Sequence, residues 1–144
     1  MANHPVPRRW SDEVDGIRWL PRMIDKARMR DRGELGSYLL GHSPVDYALL
    51  KRAGVTTEEF AEIVRGAPDD QAVLAALRAR GGWDEARVRR WSGRFPSTYR
   101  LYIRMWDVDE GYARPTVLGA MARTILRSVE RPAMALVRRV RRAP

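Results

Sequence analysis

Six residues within one short stretch of the chain have the side chains for proton chemistry: Arg22, Asp25, Arg28, Tyr38, His42 and Asp46. Asp25 or His42 would move a proton, Tyr38 would donate a hydrogen bond, and Arg22 or Arg28 would hold an anionic group of the substrate. Asp46 would sit beside them at the dipole-positive start of a helix, as a further substrate contact. Such a set needs neither metal nor cofactor and suits a cyclisation, isomerisation or elimination of a small organic molecule. Each residue also has a structural reading. Asp46 caps a helix, Asp25 pairs with Lys26, Arg22 or Arg28, and Tyr38 is core with its hydroxyl satisfied. His42 lies in a Gly41-His-Ser-Pro loop directly before a cap residue, where loops commonly carry function.

Two helices must place these residues, packed antiparallel so that the loop between them closes over the end of the first. The first starts at Leu20-Pro21, with proline where its missing N–H costs nothing, and runs to about Arg32 before Gly33. Met23, Ile24 and Ala27 form its apolar stripe, while Arg22, Lys26 and Arg30 recur every four residues on another face. The second opens with Ser43-Pro-Val-Asp46, where the carboxylate can accept from exposed amides, and closes at Gly54. A capping box, Thr56-Thr-Glu-Glu59, starts a third helix that buries Phe60, Ile63 and Val64 and stops at Gly66. Asp69-Asp70 opens a fourth, with Val73, Leu74 and Leu77 inward, ended by Gly81-Gly82. Asp84 caps a fifth through Val88, Trp91 and Phe95. Pro96-Ser97 breaks the chain and begins a sixth through Tyr99, Tyr102, Ile103 and Trp106, ending at the acidic turn Asp107 to Gly111. Pro115 begins a seventh, with Val117, Leu118, Met121, Ile125 and Val129 on one side. No stretch alternates with period two, and no repeat of fixed period is present.

Composition removes several function classes. With no cysteine among 144 residues, thiolate nucleophiles, disulfides and cysteine-ligated zinc or iron–sulfur clusters are excluded. His4 and His42 are the two histidines, too few for a multi-histidine metal site, and no metal or cofactor is expected. Glycines 33, 36 and 41 fit neither phosphate-loop spacing. The turn of Asp107, Asp109 and Glu110 has the hard oxygens for a divalent cation, but such helix ends are commonly solvated or paired with arginine. The tryptophans and tyrosines, five of each, would suit a pocket for a planar ligand, yet the helical spacing of Trp91 with Phe95 and of Tyr102 with Trp106 points to core. The formal charge of +9 is concentrated after Gly119, where seven arginines face Glu130 alone. Arginine outnumbers lysine 25 to 2, which reads as the codon bias of a GC-rich genome more simply than as selection for phosphate contacts. Nucleic-acid binding is therefore expected to be weak and carried by that end. No apolar run is long enough to span a bilayer and the start lacks a secretory pattern, so a cytoplasmic protein without a membrane partner is expected.

The run Trp19-Leu-Pro-Arg-Met-Ile-Asp-Lys-Ala-Arg28, then Gly33-Glu-Leu-Gly-Ser-Tyr38 and Ser43-Pro-Val-Asp46, resembles domain-of-unknown-function family 5069, small bacterial helical proteins. In that family an "LPRMIDKAR"-like helix leads through a "G-x-L-G-x-Y" loop into a "C-P-L-D" helix start. The likeness extends over roughly residues 5–112, through Phe60 to the Trp106-Asp-Val-Asp-Glu-Gly111 turn. Ser43 departs from it by standing where cysteine is the pattern. The resemblance implies a helical domain and supplies no activity or functional residues.

These readings combine into an all-α, compact single-domain bundle of about six to eight helices. The domain covers 1–131, with 113–131 as an additional helix docked on the body or on a second subunit, and 132–144 is a basic, mobile end. The expected function is binding of a small organic molecule in an aromatic, arginine-rimmed pocket, with cofactor-free acid–base catalysis, in a chain that can also form a homo-oligomer. The alternative is a non-enzymatic adaptor that binds protein or nucleic acid through its arginine-rich end.

Overall fold

The path into the first helix is set by a tight hairpin. Strands β1 (Glu13–Val14) and β2 (Ile17–Arg18) pair antiparallel, with Glu13 opposite Arg18 and Val14 opposite Ile17. Asp15 and Gly16 between them both have positive φ, 49° and 75°, the geometry of a two-residue type I′ turn whose sequence signature is Asp-Gly. Strands of two residues are too short to show an alternating pattern, so this hairpin is an addition to the all-helical expectation. The structure, a computed structural model, describes residues 5–117, 119–121, 124–125 and 128. Among the described residues the hairpin is followed by helices α1 (Leu20–Asp31), α2 (Pro44–Ala53), α3 (Thr57–Gly66), α4 (Asp70–Arg78), α5 (Glu85–Thr98) and α6 (Arg100–Asp109), and helical residues recur from 117 onward. The fold is all-α apart from the hairpin.

The caps act as their sequence suggests. Ser43 Oγ accepts from the Asp46 amide, Asp69 Oδ1 from Ala72, and Asp84 Oδ1 from Arg87. Thr56 and Glu59 complete a reciprocal capping box. One expected break is absent: α5 continues through Pro96 to Thr98. Proline in a helix orphans the carbonyl four residues back, here that of Ser92. That carbonyl accepts instead from Arg18 NH1 at 3.1 Å, while Ser92 Oγ takes the Arg18 amide and donates to Gly16 O. The hairpin thus supplies the partner that the proline removes.

Contacts divide the chain into two compact units, Met1–Phe95 and Pro96–Pro144. In the first, α1 lies closest to α3, α3 also packs on α4, and β1 touches both α1 and α4. The antiparallel pairing of α1 with α2 is therefore not the main helix contact, and the two are joined instead by buried polar side chains. Leu20, Met23, Ile24, Leu49, Phe60, Leu74, Leu77, Val88 and Phe95 form the core. Phe95 stacks against Trp10 and Trp19 and meets Trp91 edge-on, with ring centres 5.3–5.9 Å apart; Trp19, Trp91 and Phe95 are core, and the half-buried Trp10 lies at its edge. Gly54 and Gly82 bring the α2–α3 and α4–α5 turns together so closely that a Cβ on Gly54 would lie 2.6 Å from the Gly82 Cα.

In the second unit Tyr102 and Trp106 are in ring contact at 5.7 Å, and Ile103 and Asp107 are buried. Helical bonding resumes where the Ala120 amide donates to Thr116 O. Of the expected stripe, Val117, Met121 and Ile125 are exposed. Leu118, Val129, arginines 123, 127 and 131, and the 132–144 end lie outside the described residues, as does His4.

Candidate functional site

α1 begins under strain. Trp19, its N-cap, has φ 69° and ψ −25°, a left-handed conformation that costs a bulky L-residue on the order of 1–3 kcal/mol. The strain is held by what the indole touches. Its Nε1–H donates to Asp46 Oδ1 at 2.7 Å, and its ring carries the Arg22 guanidinium at 5.2 Å and the Lys26 ammonium at 5.3 Å.

The sequence pattern puts Arg22, Lys26 and Arg30 on one polar face, but burial divides them. Arg22 and Lys26 are each 3% exposed, and Asp46 is fully buried. Lys26 Nζ lies 2.6 Å from both Asp46 oxygens and 2.9 Å from the Leu39 carbonyl. Asp46 Oδ2 also accepts the Gly41 amide at 2.9 Å. The Asp46 carboxylate is thus no ordinary cap, since Ser43 performs that task. It ties α1, the strained Trp19 and the loop before α2 into one buried cluster. The Lys26–Asp46 pair holds that loop at two points, Lys26 donating to Leu39 O and Asp46 accepting from Gly41 N, which bracket a short span that the loop must cross tightly. Gly41 has φ 76°, and a Cβ there would lie 2.0 Å from Thr57 Oγ1, so only glycine fits.

Outside this cluster stands Tyr38, half-buried, with the Arg22 guanidinium 5.4 Å from its ring centre. Arg22 also donates through NH1 to the carbonyl of Arg8 at 2.9 Å. His42 follows Gly41 and is exposed.

A second charged group forms one step around α1. Asp25 accepts from the Arg8 amide, Nε and NH2 at 2.8–2.9 Å. Its partner is thus Arg8 rather than Lys26, Arg22 or Arg28. Arg8 also reaches Asp70 Oδ2 at 2.5 Å, and Arg28 donates to Asp70 Oδ1 at 3.0 Å. Burial alone would raise the Asp70 carboxyl, but the Arg8 hydrogen bond and the charges of Arg8 and Arg28 outweigh it and hold it below its ordinary value. Arg8 is shifted upward, chiefly by its hydrogen bond to Asp25.

Of the six residues singled out from sequence, Arg22 and Asp46 therefore converge on Trp19, Tyr38 meets this group through the Arg22 guanidinium, and Asp25 and Arg28 converge on Arg8 and Asp70. His42 is carried on the anchored loop. Sequence reasoning missed Trp19, Lys26, Arg8 and Asp70. Lys26 did carry a signal, as one of two lysines in a chain that otherwise writes arginine. An ammonium places three donors around one point, where a flat guanidinium would not fit the same acceptors. Among the described residues no group of three or more histidine, aspartate or glutamate side chains is placed to hold a metal, and no helix is long and apolar enough to cross a membrane.

The profile of the family described as Domain of unknown function (DUF5069) matches residues 4–112, so the chain belongs to that family. The match covers the hairpin, both charged groups and all of α1 to α6. A search of curated proteins gave no match.

Proposed function

We propose that this protein binds a small organic molecule bearing an anionic group at the anchored loop between α1 and α2, and acts on it in the bacterial cytoplasm as a cofactor-free acid–base enzyme of the cyclisation, isomerisation or elimination type. The observation that carries this reading is the buried Lys26–Asp46 pair and what it holds. Taking two charges out of water costs more than an apolar pair of the same volume, so such a pair is poor value as a source of stability alone. Here it fixes the loop at Leu39 and Gly41, between the half-buried Tyr38 and the exposed His42. In this reading His42 moves the proton and Tyr38 donates a hydrogen bond to the substrate. Arg22 lends positive charge from against the Tyr38 ring. Asp25, held by three hydrogen bonds from Arg8, is less suited to proton transfer than His42, and Arg28 acts through Asp70.

The test is a thermal-shift screen of small carboxylates and phosphorylated compounds on the full chain, followed by titration of each hit. Tyr38→Phe and His42→Ala should each weaken binding about tenfold, equivalent to about 1.4 kcal/mol, while leaving the unfolding midpoint of the unliganded protein in place. Binding that ignores both substitutions would sink the assignment of the site.

A further inference from the structure

Val117, Met121 and Ile125 recur every four positions and are 80%, 61% and 63% exposed. Side-chain hydrogen bonds from Thr124 to Ala120 O and from Ser128 to Thr124 O follow the helical spacing through the same stretch. Residues four apart share a helix face, so the three form an uncovered apolar line. The surrounding sequence is strongly cationic: seven arginines lie between Gly119 and Pro144 against Glu130 as the one acid. We propose that this C-terminal segment seats on the surface of a bilayer containing anionic lipid, with Val117, Met121 and Ile125 entering the headgroup boundary and the arginines meeting the lipid phosphates.

Two properties choose this occupant. Nucleic acid would use the arginines and leave the apolar line wet. A second copy of the chain would cover the line but bring two arginine-rich ends together with Glu130 as the one acid in each segment. An anionic bilayer meets both needs at once, apolar depth under negative charge. Surface seating requires no spanning length, so it is compatible with the lack of a helix able to cross a membrane among the described residues. The proposal is independent of the chemistry assigned to the loop before α2.

Sedimentation of the full chain with vesicles tests it. The chain should pellet with vesicles of phosphatidylcholine and phosphatidylglycerol, stay in solution with phosphatidylcholine alone, and release as salt rises. Replacing Val117, Met121 and Ile125 together by serine should lower partitioning at least about tenfold. Because these side chains are exposed, the circular dichroism of the variant should be unchanged. Replacing arginines 138, 139, 141 and 142 by glutamine should lower partitioning on the order of a hundredfold. Equal binding to neutral vesicles, or binding untouched by the serine substitutions, would overturn the proposal. So would a chain that ignores vesicles and binds an RNA or DNA duplex, or self-associates, through these same residues.

Discussion

Two charged clusters grow from neighbouring positions on α1 and differ in how much water reaches them. At Lys26–Asp46 the side chains are 3% and 0% exposed, and at Arg8–Asp70 they are 38% and 19% exposed. The chemistry is similar, a cation and a carboxylate within hydrogen-bonding distance. The consequences are not, because the attraction and the cost of stripping water both grow as water is excluded. The inner pair reaches one loop and fixes it. The outer network spans the chain, with Arg8 joining the N-terminal segment to α1 and to the start of α4. The contrast separates positioning a site from fastening the fold.

The largest effect should come from breaking the inner pair. Asp46→Ala removes the charged acceptor shared by the Lys26 ammonium, the Trp19 N–H and the Gly41 amide, and should cost about 3–5 kcal/mol in denaturant unfolding. Combined with Lys26→Met, it should show a coupling energy of about 2 kcal/mol or more in a double-mutant cycle. A coupling below about 0.5 kcal/mol would erase the distinction between the clusters.

Next should come Arg8→Ala. It removes several charge-assisted hydrogen bonds but at a partly exposed site, so about 1–2 kcal/mol is expected. The same variant should alter acid stability. The Asp70 carboxyl is lower in the folded chain than unfolded, so its stabilising contribution is complete above about pH 4 and is lost as pH falls through the folded value. The wild-type chain should lose stability below about pH 4 more steeply than Arg8→Ala. Parallel curves would show that Arg8 does not hold Asp70.

Ser43→Ala removes a cap and should cost about 1 kcal/mol, with the loop still held by Asp46. If loop amide shifts moved as far as in Asp46→Ala, the anchoring would belong to the cap instead.

The smallest effect is expected at the hairpin tip, where Arg78 bridges Asp15 and Glu85 in an exposed network. Glu85 is lowered to about 2, first by its hydrogen bond from Arg78. Arg78→Ala should return it towards the ordinary carboxylate range in an NMR titration while changing stability by less than about 1 kcal/mol.

Local signals made much of the fold legible. Ser43, Thr56, Asp69 and Asp84 are caps whose partners lie three residues away, and proline and glycine mark several of the same boundaries. What escaped depends on distance or on burial. Arg8 meets Asp70 across 62 positions, and no local pattern carries that. Arg22 and Lys26 look like a solvated face because periodicity treats every charge as outward, and only the arrival of Asp46, Leu39 O and the Trp19 ring makes burial tolerable. The break read at Pro96 failed because the partner for Ser92 O comes from Arg18, in another element. The hairpin was marked by Asp15-Gly16 but not by alternation. Within the candidate site, the residue types were readable and their grouping was not. It took Trp19, in a backbone conformation that sequence does not announce, to separate Asp46 and Arg22 from Asp25.

The contact between Gly54 and Gly82 bears on how this chain can vary. Each glycine occupies the space into which the other would grow a side chain, so a methyl group on either meets main chain that has no rotamer to turn aside. The two positions form one joint restriction, written once in each of two turns 28 residues apart. Drift at one cannot be rescued by trimming the other, which is already the smallest residue. Change there requires the two turns to separate, and the spacing of α2, α3, α4 and α5 would have to be reset with them.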